Sequence, residues 1–302
     1  MQAQMAGRDE VLEDLRAQPF RLTRPASQRV PFIFASPHSG NLYPHSLVAI
    51  SRLSPMTLRR SEDAFADELF EAATACGAPM IAARFPRAYL DVNRSPAEID
   101  TEMFDGALTI ATDPASPRVN AGLGVIPRVV RDGAEIYRHK LQPHEAEDRL
   151  AGFYRPFHAA LAMLVKETTA KFGAAVVVDC HSMPSAAAVP DVVLGDRYGM
   201  SAAPLLVRHA ERSFETQGFN CVRNVPYAGG YTTLLHGRPA RGTHALQIEI
   251  NRALYLNEER IERGPRFTQI QARIGAVIHA LSAIDIAFLK PSGRREAPWA
   301  AE

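Results

Sequence analysis

The apolar positions of the chain fall into short runs set apart by polar breaks. In "VPFIFASPHSG" Phe and Ile alternate until the run stops at Pro37, Ser39 and Gly40, which predicts a core strand ending in a polar loop. "SEDAFADELFEAATACGA" carries Phe65, Leu69, Phe70 and Ala73 at helical spacing, with Ser61 in the N-cap position and Gly77 at the end, so one helix is predicted there. "MIAARF", "AAVVVD" and "DVVLGD" predict further strands, "CVRNVPYAGGYTT" a short strand and a Gly-rich loop, and "THALQIEINRALY" opens as an alternating strand. Helices are predicted over "HEAEDRLAGFYRPFHAALAMLVKETTAKFG", as one or a broken pair, over "MSAAPLLVRHAERSFETQG", and over "RFTQIQARIGAVIHALSAI". From Glu98 to Asp132 the pattern dissolves among Pro, Gly, Asp and Thr, which predicts a long irregular excursion of the kind often tied to function.

Val- and Ile-rich strands alternating with helices predict an α/β fold with a mostly parallel sheet covered on both faces. No internal repeat or low-complexity linker divides the chain. A single domain is expected over residues 1–302, with the core at about 30–285, an N-terminal helix within 1–25 and a loose tail over 290–302. In such sheets functional groups gather at the carboxyl ends of strands. His38, Asp179, His181 and Glu249 all fall at or near predicted strand ends, although they are far apart in sequence.

Composition adds limits. A formal net charge of +1 over 302 residues gives no general attraction to nucleic acid or to an anionic membrane, so neither is expected as a partner. The aliphatic runs are far shorter than a membrane span. Asp9, Glu10, Glu13 and Asp14 stand where a signal peptide would need an apolar core, so a cytoplasmic location is expected. Cys76, Cys180 and Cys221 are too widely spaced for a zinc ribbon or a redox pair and read as reduced thiols.

A catalytic zinc takes three protein ligands and leaves a fourth position open. His38 and His181 each follow an apolar strand and have small neighbours, while "SED" offers Glu62 and Asp63 as a carboxylate ligand. Those two acids could equally complement a helix dipole. Asp179 shares a strand face with His181, as an orienting partner or as a strand-end group bonded to backbone. Cys180 points the other way, so it is a poor nucleophile. Glu249 lies in an apolar strand, where a desolvated carboxylate suits a general base; pairing with Arg252 or Arg238 is the alternative. "FPRAYLDVNRSP" brings Arg87, Asp91, Asn93 and Arg94, and "PYAGGYTTLLHGRPARGTHA" brings Tyr231, His236, Arg238 and His244. Arginine forks suit acidic substrates, although structural Arg is commoner.

Taken in order, "SPHSG", "RAYLDVNRSP", "GVIPRVVRDGAEIYRHKL", "DCHSMPS" and "YAGGYTTLLHGRPARGTHALQIEIN" resemble the N-formylglutamate amidohydrolase family, from about Pro31 to Tyr255. The resemblance implies a three-layer α/β/α fold related to the zinc carboxypeptidases, and hydrolysis of a linear amide. The named activity converts N-formyl-L-glutamate and water to formate and L-glutamate, the last step of one route of histidine degradation. The family pattern assigns His38 and His181 to one zinc ion per chain and Glu249 to general-base catalysis. It assigns Arg87, Asn93 and Arg94 to the region that holds a substrate carboxylate. The carboxypeptidase relatives carry a Glu three residues after the first ligand His; Asn41 stands there, so Asp63 is preferred as third ligand, with Asp67 one turn on as its partner. Arg94 is expected to stabilise the oxyanion, and Tyr231 or Arg238 to help fix substrate carboxylates. A different N-acyl amino acid or peptide as substrate, or a silent binder of an acidic metabolite, are the other readings.

Overall fold

The computed structural model describes residues 9–130, 133–186 and 189–291. Its centre is a seven-stranded sheet in the order β1-β3-β2-β4-β7-β5-β6. The strands are β1 (Phe20–Thr23), β2 (Phe32–Ser36), β3 (Met80–Ala83), β4 (Ala175–Met183), β5 (Val192–Gly195), β6 (Cys221–Arg223) and β7 (Thr243–Asn251). The pairs β2–β3, β2–β4, β4–β7 and β5–β6 are parallel, whereas β1–β3 and β5–β7 are antiparallel. The sheet is therefore mixed and mostly parallel, as the strand–helix alternation predicts.

Side-chain alternation divides the interior into two cores. Ile33, Ala35, Ile81, Ala83, Ala175, Val177 and Ala245 face one layer, packed with Phe157, Leu161 and Leu164 of the helix Arg155–Phe172. Phe32, Phe34, Val176, Val178, Cys180, Leu246, Ile248 and Ile250 face the other, against helices Pro204–Thr216 and Phe267–Ser282. Each buried Phe or Leu contributes about 1.5–3 kcal/mol of hydrophobic stabilisation relative to an exposed one. The small residues on the first face let the helix layer approach closely. Continuing the same parity along β4 and β7 puts Asp179, His181, Gln247 and Glu249 beyond the first core, at the carboxyl ends of neighbouring strands. His181 and Glu249 are directly paired across the ladder.

Two elements differ from expectation, and the long helical segment takes the broken-pair form that the sequence also allows. The helix predicted from Ser61 starts only at Ala66 and runs in two pieces, Ala66–Leu69 and Ala72–Cys76. Phe65 adopts a left-handed φ of 60°, and the Asp63 N–H donates to the His38 carbonyl at 3.0 Å, so Asp63 belongs to a loop tied to His38. Phe65 and Leu69 still supply apolar packing, which is why the spacing looked helical throughout. The long helical segment is two helices, Pro143–Arg149 and Arg155–Phe172, joined by a π-helical turn at Leu150–Tyr154. Such turns interrupt a helix at low cost and re-aim side chains. Tyr231–His236 forms a short helix where a loop is predicted. The excursion after Glu98 is irregular, with only brief helical turns at Thr101–Met103 and Pro117–Asn120 among its described residues. The N-terminal helix is present as Glu10–Ala17, and the tail from residue 292 onward lies outside the described residues.

Candidate active site

β2 ends at Ser36, and the turn through Pro37 delivers His38. Gly40 is required there, because a Cβ would sit 2.1 Å from the Phe85 carbonyl oxygen. The loop before the Ala66 helix delivers Asp63, and β4 delivers Asp179 and His181. All four are buried. Oδ2 of Asp63 lies 2.8 Å from Nδ1 of His181 and 3.4 Å from Nδ1 of His38. The imidazoles tilt towards each other with ring centres 4.7 Å apart.

Each of these groups is held from behind. Nε2 of His38 is hydrogen-bonded to Oδ1 of Asp91 at 2.7 Å, and Nε2 of His181 stands 3.1 Å from Oδ1 of Asp179. Asp63 accepts on Oδ1 from Arg252 Nη2 at 2.8 Å. Carboxylates behind the imidazoles fix which nitrogen carries the proton and leave Nδ1 of both rings free to coordinate. Nδ1 of His38 is buried with no hydrogen-bond partner, an arrangement that is costly unless a cation fills the gap. The ligand atoms of His38, Asp63 and His181 lie within 4.8 Å of one another, and the three residues could hold a metal ion. Two imidazole nitrogens and one carboxylate oxygen suit zinc and leave a coordination position open.

The electrostatics favour a cation as well. Burial would raise the pKa of Asp63, but the hydrogen bond with His181 and the nearby His38 imidazole outweigh it and hold the carboxyl well below its usual range. Burial would likewise raise Asp91; Arg87, then His38, reverse the effect. In His181 burial alone would lower the pKa, but Asp179 and Asp63 hold the imidazole well above its ordinary range. The proton that His181 keeps occupies the place of a positive charge.

The segment from Asp91 to Arg94 is pinned at every residue. Asn93 Nδ2 donates to Asp179 at 3.0 Å, and Asn93 Oδ1 accepts from the Thr232 N–H at 2.8 Å. His158 is hydrogen-bonded to the Val92 carbonyl, and the Tyr154 hydroxyl donates to the Arg94 carbonyl at 2.9 Å. The π-helical turn thus ends on a residue that holds the site. Arg87 donates to Asp91 at 2.6 Å. Arg94 donates from Nε to the Leu123 carbonyl and from Nη1 to the Asn93 carbonyl. Among the described residues no hydrogen bond uses its Nη2.

His38, Asp63, His181, Arg87, Asp91, Asn93 and Arg94 line a cleft of about 550 Å³, together with Glu249, Gln247, Arg118 and Tyr227. That volume is within the usual range for a small-molecule site. Glu249 is buried, and desolvation pushes its carboxyl up to about 7. Gln247 donates to its Oε1 at 2.8 Å, while the suggested partners Arg252 and Arg238 do not pair with it.

The sequence candidates divide accordingly. His38, Asp63, His181, Glu249, Arg87, Asn93 and Arg94 come together around the cleft. Glu62 does not; it pairs with Arg59 at 3.0 Å and accepts from Tyr43 at 2.8 Å. Asp67 pairs with Arg21, away from the two His. Tyr231 and Arg238, expected at the substrate, are not among the cleft residues. The Tyr231 ring packs edge-on against His158 at 5.9 Å, and Arg238 bridges to Thr243 at the amino end of β7. Six residues of strand, at about 3.3 Å each, separate Thr243 from Glu249. Tyr227, four residues before Tyr231, faces the cleft instead. Arg252 as the clamp on Asp63, Asp91 as the support of His38, and the cleft residues Arg118 and Tyr227 were not predicted; Asp91 had a signal in its place beside two Arg. Cys180 is buried in the opposite core, with its thiol pushed well up by burial.

A mostly parallel sheet with a buried His–Asp–His group at its carboxyl edge, and a desolvated carboxylate beside it on the neighbouring strand, defines an α/β protein whose site could hold a metal ion. The chain belongs to the N-formylglutamate amidohydrolase family, whose model matches residues 30–256. It is similar to the crystal structure of N-formylglutamate amidohydrolase from Ralstonia eutropha JMP134, with 35% identity and a TM-score of 0.83 over 87% of this chain and 97% of that one. N-formylglutamate deformylase of Pseudomonas aeruginosa is 28% identical over 243 residues, 76% of this chain and 84% of that protein. The Pseudomonas putida enzyme of the same description is also 28% identical, over 76% of this chain and 83% of its own length.

Proposed function

We propose that the chain is a zinc-dependent amidohydrolase that cleaves the amide of an N-acyl amino acid, with N-formyl-L-glutamate as the substrate and formate and L-glutamate as products. The family and the descriptions of its relatives support the substrate. The observation that carries the chemistry is the partnerless Nδ1 of His38, facing the Asp63 oxygen that also meets His181.

His38, Asp63 and His181 would hold the ion. Zinc there supplies a Lewis acid that acidifies water and polarises a carbonyl. Glu249 acts as general base: its burial raises its proton affinity to the range in which it can take a proton from water near neutral pH and return it to the leaving nitrogen. Gln247 occupies one Glu249 oxygen and so fixes the other for proton transfer. Arg94 Nη2 is the donor for charge that develops on the formyl oxygen. Arg87 and Asn93 act through Asp91 and Asp179, keeping both imidazoles in place rather than binding substrate directly.

The test is a panel of N-formyl, N-acetyl and N-succinyl amino acids assayed on metal-free and zinc-loaded protein. Hydrolysis of N-formyl-L-glutamate that depends on zinc is expected. Turnover that survives full metal removal, or the absence of any turnover across the panel, overturns the reading.

A further inference from the structure

Three of the guanidiniums that line the cleft are already engaged by the protein. Arg87 donates to Asp91, Arg252 to Asp63, and Arg94 to two backbone carbonyls. Arg118 differs. Its Nη1 stands 3.6 Å from Oε2 of Glu98, beyond hydrogen-bond reach, and its side chain is 42% exposed. Glu98 is satisfied elsewhere, since the Ser116 hydroxyl donates to Oε1 at 2.7 Å and the Ser95 N–H to Oε2 at 3.0 Å. Glu98 thus attracts Arg118 by charge without occupying its donors. Among the described residues no hydrogen bond uses the Arg118 guanidinium, whose five N–H groups are donors without a fixed acceptor on a residue that lines the cleft.

The segment that carries Arg118 is held firmly, although it is irregular. Ser116 caps the Pro117–Asn120 turn, the Val125 N–H donates to the Glu98 carbonyl at 2.7 Å, and a Cβ at Gly124 would lie 2.4 Å from that same oxygen. Arg118 is also near enough to Arg94 for their charges to interact, which puts it on the Arg94 side of the cleft. Arg60, the other guanidinium with an exposed side chain at the cleft, is on the Asp63 side, where its carbonyl meets Arg252 at 3.4 Å.

An N-acyl amino acid presents its amide and α-carboxylate close to the reacting centre, whereas a side-chain carboxylate extends several bonds further out. It needs a cation at the periphery with unused, forked donors. We propose that Arg118 is a specificity-determining residue that takes the side-chain carboxylate, so that the cleft selects N-acyl derivatives of acidic amino acids over their neutral isosteres. The inference rests on the amidohydrolase reading above.

The test compares kcat/KM for N-formyl-L-glutamate and N-formyl-L-glutamine on zinc-loaded wild type, Arg118→Gln, Arg118→Lys and Arg60→Gln. The wild type should prefer the glutamate compound. Arg118→Gln should lose roughly 10- to 100-fold on that compound, the range of one charge-assisted contact, mainly through KM, with the glutamine compound changing less than about twofold. Arg118→Lys should keep part of the preference and Arg60→Gln all of it. Equal losses on both substrates, an unchanged ratio in Arg118→Gln, or a ratio that collapses in Arg60→Gln would overturn the assignment while the activity stands. A wild type that hydrolyses neither compound overturns the amidohydrolase reading and this proposal together.

Discussion

Nδ1 of His181 stands 2.8 Å from Oδ2 of Asp63, although 118 positions separate the two residues in the chain. The contact joins a strand end to a loop that has no regular structure of its own. Arg252, from the turn after β7, closes on the other oxygen of the same carboxylate at 2.8 Å. Stability and proposed chemistry therefore meet in one side chain.

Asp63→Ala should separate these contributions. Removing the carboxylate leaves Arg252 buried without its partner, at a cost of roughly 3–5 kcal/mol, read as a lower midpoint in urea. The variant should also bind less than a stoichiometric amount of zinc by elemental analysis, against about one ion per chain for the wild type. Full zinc content in Asp63→Ala would remove Asp63 from the ligand set.

Glu249 offers a prediction with two opposite signs. Burial raises its pKa from 4.5 to about 7, so the folded metal-free protein binds a proton there more tightly than the unfolded chain does. The resulting loss of stability is absent below pH 4.5, grows as pH rises to about 7, and is fully present above it. Glu249→Gln should accordingly melt higher than wild type at pH 8, metal-free, and about the same at pH 4. Its zinc content should be unchanged, while kcat falls by roughly 10²–10⁴, the usual contribution of a general base. A variant that is both active and no more stable would show that this carboxylate is neither desolvated nor needed.

The fold was legible because its signals are local. Val-rich β4 and the alternation in β7 show in a few residues which side chains face which layer, and that was enough to turn Cys180 away from His181. The site was legible only in part, because its groups converge through loops. Asp63 could be placed near the two His but not distinguished physically from Glu62, since both sit in a stretch whose spacing imitates a helix. The left-handed Phe65 that ends the imitation has no marker in the sequence. Tyr231 and Arg238 fall outside the cleft for two different reasons. The Tyr231 ring turns onto His158 where its short helix begins, and Arg238 sits at the amino end of β7, whereas the chemistry lies towards the other end.

Asp91 and Asp179 stand behind the two imidazoles and should matter almost as much as the proposed ligands. Asp91→Asn and Asp179→Asn preserve shape but weaken the carboxylate that orients each ring. Each should lower zinc affinity by about 10–100-fold, measured by competition with a chromophoric chelator. The secondary structure seen by circular dichroism should not change. Unaltered affinity in Asp91→Asn would mean that the 2.7 Å contact with His38 has no part in metal binding.

Gly230 carries no functional group, yet it should be among the least replaceable residues around the cleft. A Cβ built on it would lie 2.5 Å from Nδ2 and 2.6 Å from Oδ1 of Asn93, too close for the amide to stay. That amide has no spare freedom: Nδ2 is 3.0 Å from Asp179 and 2.8 Å from Nε2 of His181, and Oδ1 is fixed by the Thr232 N–H. Displacing it breaks the link between the Tyr231–His236 helix and the support of His181. Gly230→Ala should therefore lose about 10²-fold in kcat, as misplaced catalytic groups commonly do, with a melting temperature only a few degrees lower. Asn93→Ala combined with Gly230→Ala tests the route. If the steric push on Asn93 is the cause, the double variant should be no worse than Asn93→Ala alone; additive losses would mean that Gly230 acts through another contact.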